Sequence, residues 1–204
     1  MSDQAPLDSQ RSTAERLLDA AMLLFMEKGY LSTSVADILR EAKANSGSLY
    51  HAFPTKQDVL IAVLERYRTG IGPMLLAPAW EGVDDPIDRI FALLARYRAG
   101  LEMTDCTYGC PIGSLALELH EPDPPVRLGL AANFDAWTGA IRACLRAAGD
   151  RLPADTDREA LADLVLSTME GGVMLARTHR DVAPFDRAVA QLRHYFDLLT
   201  GEGR

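Results

Sequence analysis

Residues 45 to 56 gather small, polar and hydrogen-bonding side chains: Asn45-Ser46-Gly47-Ser48-Leu49-Tyr50-His51, then Thr55 and Lys56. Asn45 is a favoured helix N-cap. A helix opening at Ser46 turns its free backbone amides and the positive end of its dipole outward, where phosphate is favoured. Ser46, Gly47 and Ser48 on the first turn let backbone and hydroxyls come close to phosphates or base edges. Leu49 and Phe53, four apart, are expected to pack inward and hold the helix on its supports. Tyr50 and His51 then point elsewhere, and two readings stand for each. In one reading Tyr50 is a partly buried aromatic with a satisfied hydroxyl and His51 a solvated surface residue; in the other both are polar groups left free to meet a partner.

A second grouping, Cys106 and Cys110 with His120, has the residue types of a zinc site but not its spacing. A nine-residue gap follows the cysteines, a Pro-rich break adjoins His120, and a fourth ligand is missing. No Gly-rich phosphate loop or nucleophile elbow occurs, and the carboxylates fall mostly on helix exteriors. No catalytic residue, metal or cofactor is expected.

The elements that must position the 45–56 segment are legible from their punctuation. Ser12 with Glu15 forms a capping box; Leu17, Leu18, Ala21, Leu24 and Phe25 repeat at helical spacing; Gly29 supplies the stop. Ser32 to Ser34 cap a second helix through Ala42, with Val35, Ile38 and Leu39 inward. After a short turn, Asn45 caps the third helix, Ser46 to Phe53, ended by Pro54. Thr55 and Asp58 open a fourth, carrying Val59, Leu60, Val63, Leu64 and Tyr67 to the Gly70–Pro73 region. Residues 73–85 read as a connection between lobes. Beyond it, residues 86–101, 113–119, 125–148, 157–180 and 184–199 are helically patterned, and no segment alternates with the period of a half-buried strand. The fold class is all-α: an N-terminal three-helix module at 10–56 and a helical domain at 57–204.

The string Ser46-Gly47-Ser48-Leu49-Tyr50-His51-Ala52-Phe53-Pro54-Thr55-Lys56, with Gly29-Tyr30, Thr33-Ser34-Val35, Ile38 and Ala42, resembles the helix-turn-helix signature of the TetR family of transcriptional regulators. The resemblance covers roughly residues 12 to 60. It implies a recognition helix at Ser46 lying in the major groove of double-stranded operator DNA, as helix-turn-helix geometry allows. It places Tyr50, Thr33 or Ser34, and Lys56 at phosphates, and Ser46, Ser48 and His51 at base edges. Asn45 and Gly47 complete the expected interface. One departure stands out: the family usually has Gly where this chain has Lys43, so a left-handed turn position holds a side chain, and Lys43 is expected near the DNA backbone.

The resemblance further implies a homodimer through helices 157–180 and 184–199, which in the family form a four-helix bundle with a twofold mate. Leu161, Leu164, Val165, Met169, Val173 and Ala176 on the first, and Phe185, Ala188, Val189, Leu192, Phe196 and Leu199 on the second, carry the stripes. Gly171 and Gly172 permit close approach. The alternative is that both stripes serve only the monomer's core.

A small-molecule effector completes the family picture, and the segment Thr107–Ala116 resembles a Gly-Cys, small-residue, Leu, Glu stretch in a branch responding to aromatic or electrophilic compounds. Cys110 stands near a helix N-terminus, where the dipole favours thiolate. It is therefore either a sensor or a small buried hydrophobe. An apolar pocket walled by this segment with Tyr97, Phe134, Trp137 and Met169 is expected to take an uncharged or weakly charged ligand. The expected function is a ligand-responsive repressor released from a palindromic operator. The alternatives are a helical small-molecule-binding protein, or an enzyme, using the fold without DNA.

Composition agrees with these expectations. The 204-residue chain has a net charge of −8, which alone disfavours nucleic acid, but the distribution is uneven. Residues 10–68 hold eight Lys/Arg against seven Asp/Glu, residues 69–204 thirteen against twenty, and all three lysines lie in the first segment. The polar N-terminus lacks the pattern of a signal peptide, and no apolar run nears the roughly 20 residues of a spanning helix. Three cysteines make no disulfide framework. A cytoplasmic protein without membrane contact is expected.

Overall fold

Apolar residues recurring at three- and four-residue intervals, interrupted by caps, build helices throughout. A computed structural model describes residues 12–201, and no strand occurs among them. Residues 10 and 11 of the expected first module, and 202–204 of the expected second, lie outside the described residues. By compactness the chain forms two units. One runs to Arg66 and includes Ser114–Leu130; the other comprises Tyr67–Gly113 and the residues from Ala131 on.

In the first unit, α1 spans Thr13–Lys28. The Ser12 amide donates to Glu15 Oε2 at 2.7 Å and the Glu15 amide to Ser12 Oγ at 3.2 Å, the reciprocal capping box. Leu17, Ala20, Ala21, Leu24 and Phe25 are buried. Helix α2, Val35–Glu41, opens on a second capping box between Ser34 and Asp37 and buries Ile38. Helix α3, Ser46–Ala52, is capped by Asn45, whose Oδ1 accepts from the Ser48 amide at 2.9 Å. Helix α4, Lys56–Gly70, starts where Thr55 and Asp58 exchange bonds, and buries Val59, Leu60, Val63 and Leu64. Helices α2 and α3 both pack on α1.

The segment read as a connection at 73–85 is helical over much of its length. Helix α4 runs into a π-helical stretch, Ile71–Leu76, and then α5, Ala77–Trp80; only residues 81–85 are a turn. Proline was the misleading signal. Pro73 lies within the π-helical stretch and Pro78 in the first turn of α5, and neither ends the helical run. The Trp80 indole donates to the Arg89 carbonyl at 2.9 Å and ties the turn to the next helix.

The second unit is built on α6, Pro86–Met103, with α9, Arg158–His179, and α10, Ala183–Thr200, packed on it and on each other. Helix α7, Pro111–Glu118, and helix α8, Pro124–Ala147, each contribute residues to both units. On α9, Leu161, Ala162, Val165, Met169, Gly172, Val173 and Ala176 are buried; on α10, Phe185, Leu192 and Phe196. A Cβ on Gly172 would lie 2.9 Å from the Phe185 ring, so the glycine sets how closely these helices approach. No helix among the described residues is long and apolar enough to cross a membrane.

Candidate nucleic-acid interface and effector cluster

Leu49 is the single fully buried side chain of α3. It turns the remainder of the helix outward: Asn45, Ser46, Gly47 and His51 are exposed, and Tyr50 is 53% exposed. The inward packing expected of Phe53 is partial, because it lies past the helix end in extended backbone and is half-buried. Ser48 is half-buried, with its hydroxyl donated to Asn45 Oδ1 at 3.1 Å. A free edge of small groups and one imidazole results, bearing unpaired amides at its N-terminal turn.

Lys43 takes the left-handed conformation, φ 50°, in the α2–α3 turn. This is the position at which the resembled family favours glycine. The strain is about 1 kcal/mol, and the side chain is exposed beside the start of α3.

Thr33 is a correction. It is 1% exposed, and its hydroxyl donates to the Gly29 carbonyl at 2.7 Å and the Leu24 carbonyl at 3.3 Å. A buried hydroxyl already bonded to two carbonyls does not reach phosphate, so Thr33 shapes the α1–α2 turn instead. Ser34 is exposed as the α2 cap, with its hydroxyl donated to Asp37 at 2.6 Å. Lys56 is half-buried. Its ammonium donates to the Tyr30 carbonyl at 2.5 Å and lies 4.1 Å from the Tyr30 ring centroid. Desolvation draws its pKa below the ordinary lysine value, countered by the Glu118 carboxylate. Sequence reading missed Glu118, whose carboxylate accepts from the Tyr30 and Leu31 amides at 2.8 and 2.7 Å. Nothing in local sequence pairs residues nearly ninety positions apart.

In the second unit, three of the five expected effector residues come together. The Trp137 indole donates to the Tyr97 hydroxyl at 3.1 Å, and the two rings meet edge to face at 6.4 Å. Cys110 caps the start of α7 and bonds the Glu170 carboxyl through its thiol. Met169 is buried and Phe134 half-buried.

Of the two readings of Cys110, its burial favours the small packing residue over the reactive thiolate. The Ile112 and Gly113 amides do favour the anion, but burial comes first and the Glu170 carboxyl adds to it, so the thiol is held protonated far above the usual range. Burial also raises Tyr97, pushes Tyr67 up to about 12, and raises Glu170. The cluster is a set of hydrogen-bonding groups in an apolar setting, and Glu170 Oε1 within it is buried without a partner. Glu170 was not anticipated; the available signal was a carboxylate one step from the core stripe of α9. Cys106 and His120 join no site. Among the described residues no three His, Cys, Asp or Glu side chains are grouped to hold a metal.

These features have counterparts in known proteins. Residues 17–63 match the family described as bacterial regulatory proteins, tetR family, and residues 86–191 the C-terminal domain of LmrA/YxaF-like transcriptional regulators. An uncharacterised HTH-type transcriptional regulator of Mycobacterium tuberculosis is 34% identical over 185 residues, covering 88% of this chain and 92% of that protein. The HTH-type transcriptional regulator LmrA of Bacillus subtilis is 29% identical over 178 residues, covering 86% and 92%. Among solved structures, the regulatory protein TetR from Rhodobacter sphaeroides superposes with a TM-score of 0.77 at 28% identity, over 94% of this chain and 99% of that one.

Proposed function

From the premise that the chain belongs to the TetR family of DNA-binding transcriptional regulators, which are not enzymes, we propose that it is a dimeric repressor released from a palindromic operator by a small molecule. The observation that carries the reading is the outward edge of α3. Ser46, Gly47, Tyr50 and His51 are exposed on a helix pinned from behind by Leu49. Ser46 and His51 address base edges, with Ser48 at their margin. Ser34, Lys43, Asn45 and Tyr50 address phosphates, and Lys56 acts mainly by holding Tyr30. Residues 10–56 carry this recognition and the remainder carries assembly and response.

Dimerisation is supported by what the core leaves over. The inward stripes of α9 and α10 are consumed within the unit, yet Leu164, Leu175, Tyr195 and Leu198 remain 43 to 59% exposed. Leu164, Gly171, Leu175, Ala188, Gln191 and Tyr195 line one shallow apolar groove. A second copy covers such a face with the least charged burial. The effector is an aromatic or apolar molecule with a hydrogen-bonding group, met by Tyr97, Trp137, Cys110 and Glu170. Covalent capture of electrophiles is disfavoured, because the protonated thiol is a poor nucleophile.

The test is competition between duplex DNA flanking the gene and random duplex, at rising salt. Phosphate contacts predict steep weakening with salt and a sequence preference that survives it. Equal affinity for both duplexes contradicts operator recognition.

A further inference from the structure

The carboxylate of Glu118 stands where helix physics disfavours it. It is the last residue of α7, facing the negative end of that helix's dipole. What it meets instead is the α1–α2 turn: Oε2 accepts from the Tyr30 amide at 2.8 Å and Oε1 from the Leu31 amide at 2.7 Å. Gly29, at φ 84°, makes the room, since a Cβ there would lie 2.8 and 2.9 Å from the two carboxylate oxygens. Lys56 grips the same peptide from the other side through the Tyr30 carbonyl. The buried Thr33 hydroxyl closes the turn from within, and Ser34, the next residue, caps α2. Glu118 lies in the segment matching the C-terminal domain family, yet the turn it holds lies in the segment matching the DNA-binding family.

We propose that Glu118 is a positioning residue of the operator-binding surface: by accepting two consecutive backbone amides it fixes the α1–α2 turn, and with it the placement of Ser34 and α2 behind the recognition helix. The proposal rests on the operator-binding reading. Its discriminating consequence comes from charge. An acidic residue removed near a DNA-binding face should, by Coulomb attraction alone, tighten binding to a polyanion. A positioning role predicts the opposite, because bonds from amides to an ionised acceptor are among the stronger ones.

The experiment uses the full-length protein, its selected operator duplex, and amide NMR or hydrogen exchange of the free protein. Glu118→Ala should weaken operator binding about tenfold or more while leaving the slope of affinity against salt unchanged, since no phosphate contact is lost. The Tyr30 and Leu31 amides should lose protection while those of Leu17 to Phe25 keep theirs. Glu118→Gln, which keeps the shape and one acceptor, should recover part of the affinity despite carrying no charge. Gly29→Ala should cost less in the Glu118→Ala background than in wild type, since the obstructing carboxylate is gone. Unchanged or tighter operator binding by Glu118→Ala, or unaltered Tyr30 and Leu31 amides, overturns the proposal. Failure of the wild-type protein to bind any operator overturns the operator-binding reading itself, while the amide measurement still judges the clamp.

Discussion

Gly172 and Gly100 offer a controlled pair, both inside long helices of the second unit, with opposite surroundings. A methyl on Gly172 would sit 2.9 Å from Phe185 Cδ2 and 3.4 Å from its Cα. Phe185 is 1% exposed in the first turn of α10, so its ring has no solvent to swing into and its Cα moves only with the helix. Nothing lies within 4 Å of the corresponding point on Gly100. Replacing helical Gly by Ala gains about 0.8–1.0 kcal/mol of propensity, whereas forcing extra volume into a packed contact costs about 1–3 kcal/mol. Gly100→Ala should therefore gain up to about 1 kcal/mol, and Gly172→Ala should show a net loss of about 1 kcal/mol. The separation of about 1–3 kcal/mol corresponds to several degrees in Tm for a chain of this size. Urea unfolding of both variants at one protein concentration measures it, with an unchanged m-value confirming that the native packing is what differs. If Gly172→Ala is as stable as Gly100→Ala, the close α9–α10 approach is wrong.

Leu49→Ala removes the only fully buried side chain of α3 and should cost about 2–5 kcal/mol, together with operator affinity, as read by denaturation and by binding. Lys43→Gly should relieve the left-handed strain of about 1 kcal/mol and lower the salt slope by about one; an unchanged slope removes Lys43 from the phosphate contacts. Burial raises the Glu170 carboxyl above its ordinary value, so the folded state keeps its proton to higher pH than the unfolded chain. The associated stability is full below the unfolded value and is lost as pH rises through the folded one. Glu170→Gln should flatten that decline above about pH 4.5, the ordinary value; an equal decline in both proteins contradicts it. Leu164→Glu should convert the dimer to monomer by sedimentation and abolish operator binding, whereas a dimer that persists would move the interface elsewhere.

The N-terminal helices were legible because their signals are local. Ser12 with Glu15, Asn45 with Ser48 and Thr55 with Asp58 each satisfy a partner three residues away. Thr33 was misread because its hydroxyl serves carbonyls of the preceding helix end, a geometry that a helix-start motif does not reveal. Glu118 has no local signal, and Glu170 only its place beside the core stripe of α9, for a related reason. Each matters through residues distant in sequence, the Tyr30 and Leu31 amides for one and Cys110 for the other. For Cys110 the sequence left two readings, because a helix N-terminus favours thiolate while a lone cysteine favours burial; its buried position supports the second. The 73–85 segment reads as a connection because Pro73, Pro78 and Gly82 are breakers and few positions are periodic, yet neither proline ends the run from α4 through the π stretch into α5.

Operator recognition by a dimer is tested most directly by selecting bound duplexes from a random DNA pool with the full-length protein. The account predicts enrichment of a palindrome whose two half-sites are centred about one helical turn apart, roughly 10 bp, or a multiple of it. His51→Ala should change the preferred bases at symmetric positions. Enrichment of no sequence, or of an asymmetric one indifferent to His51, would contradict it.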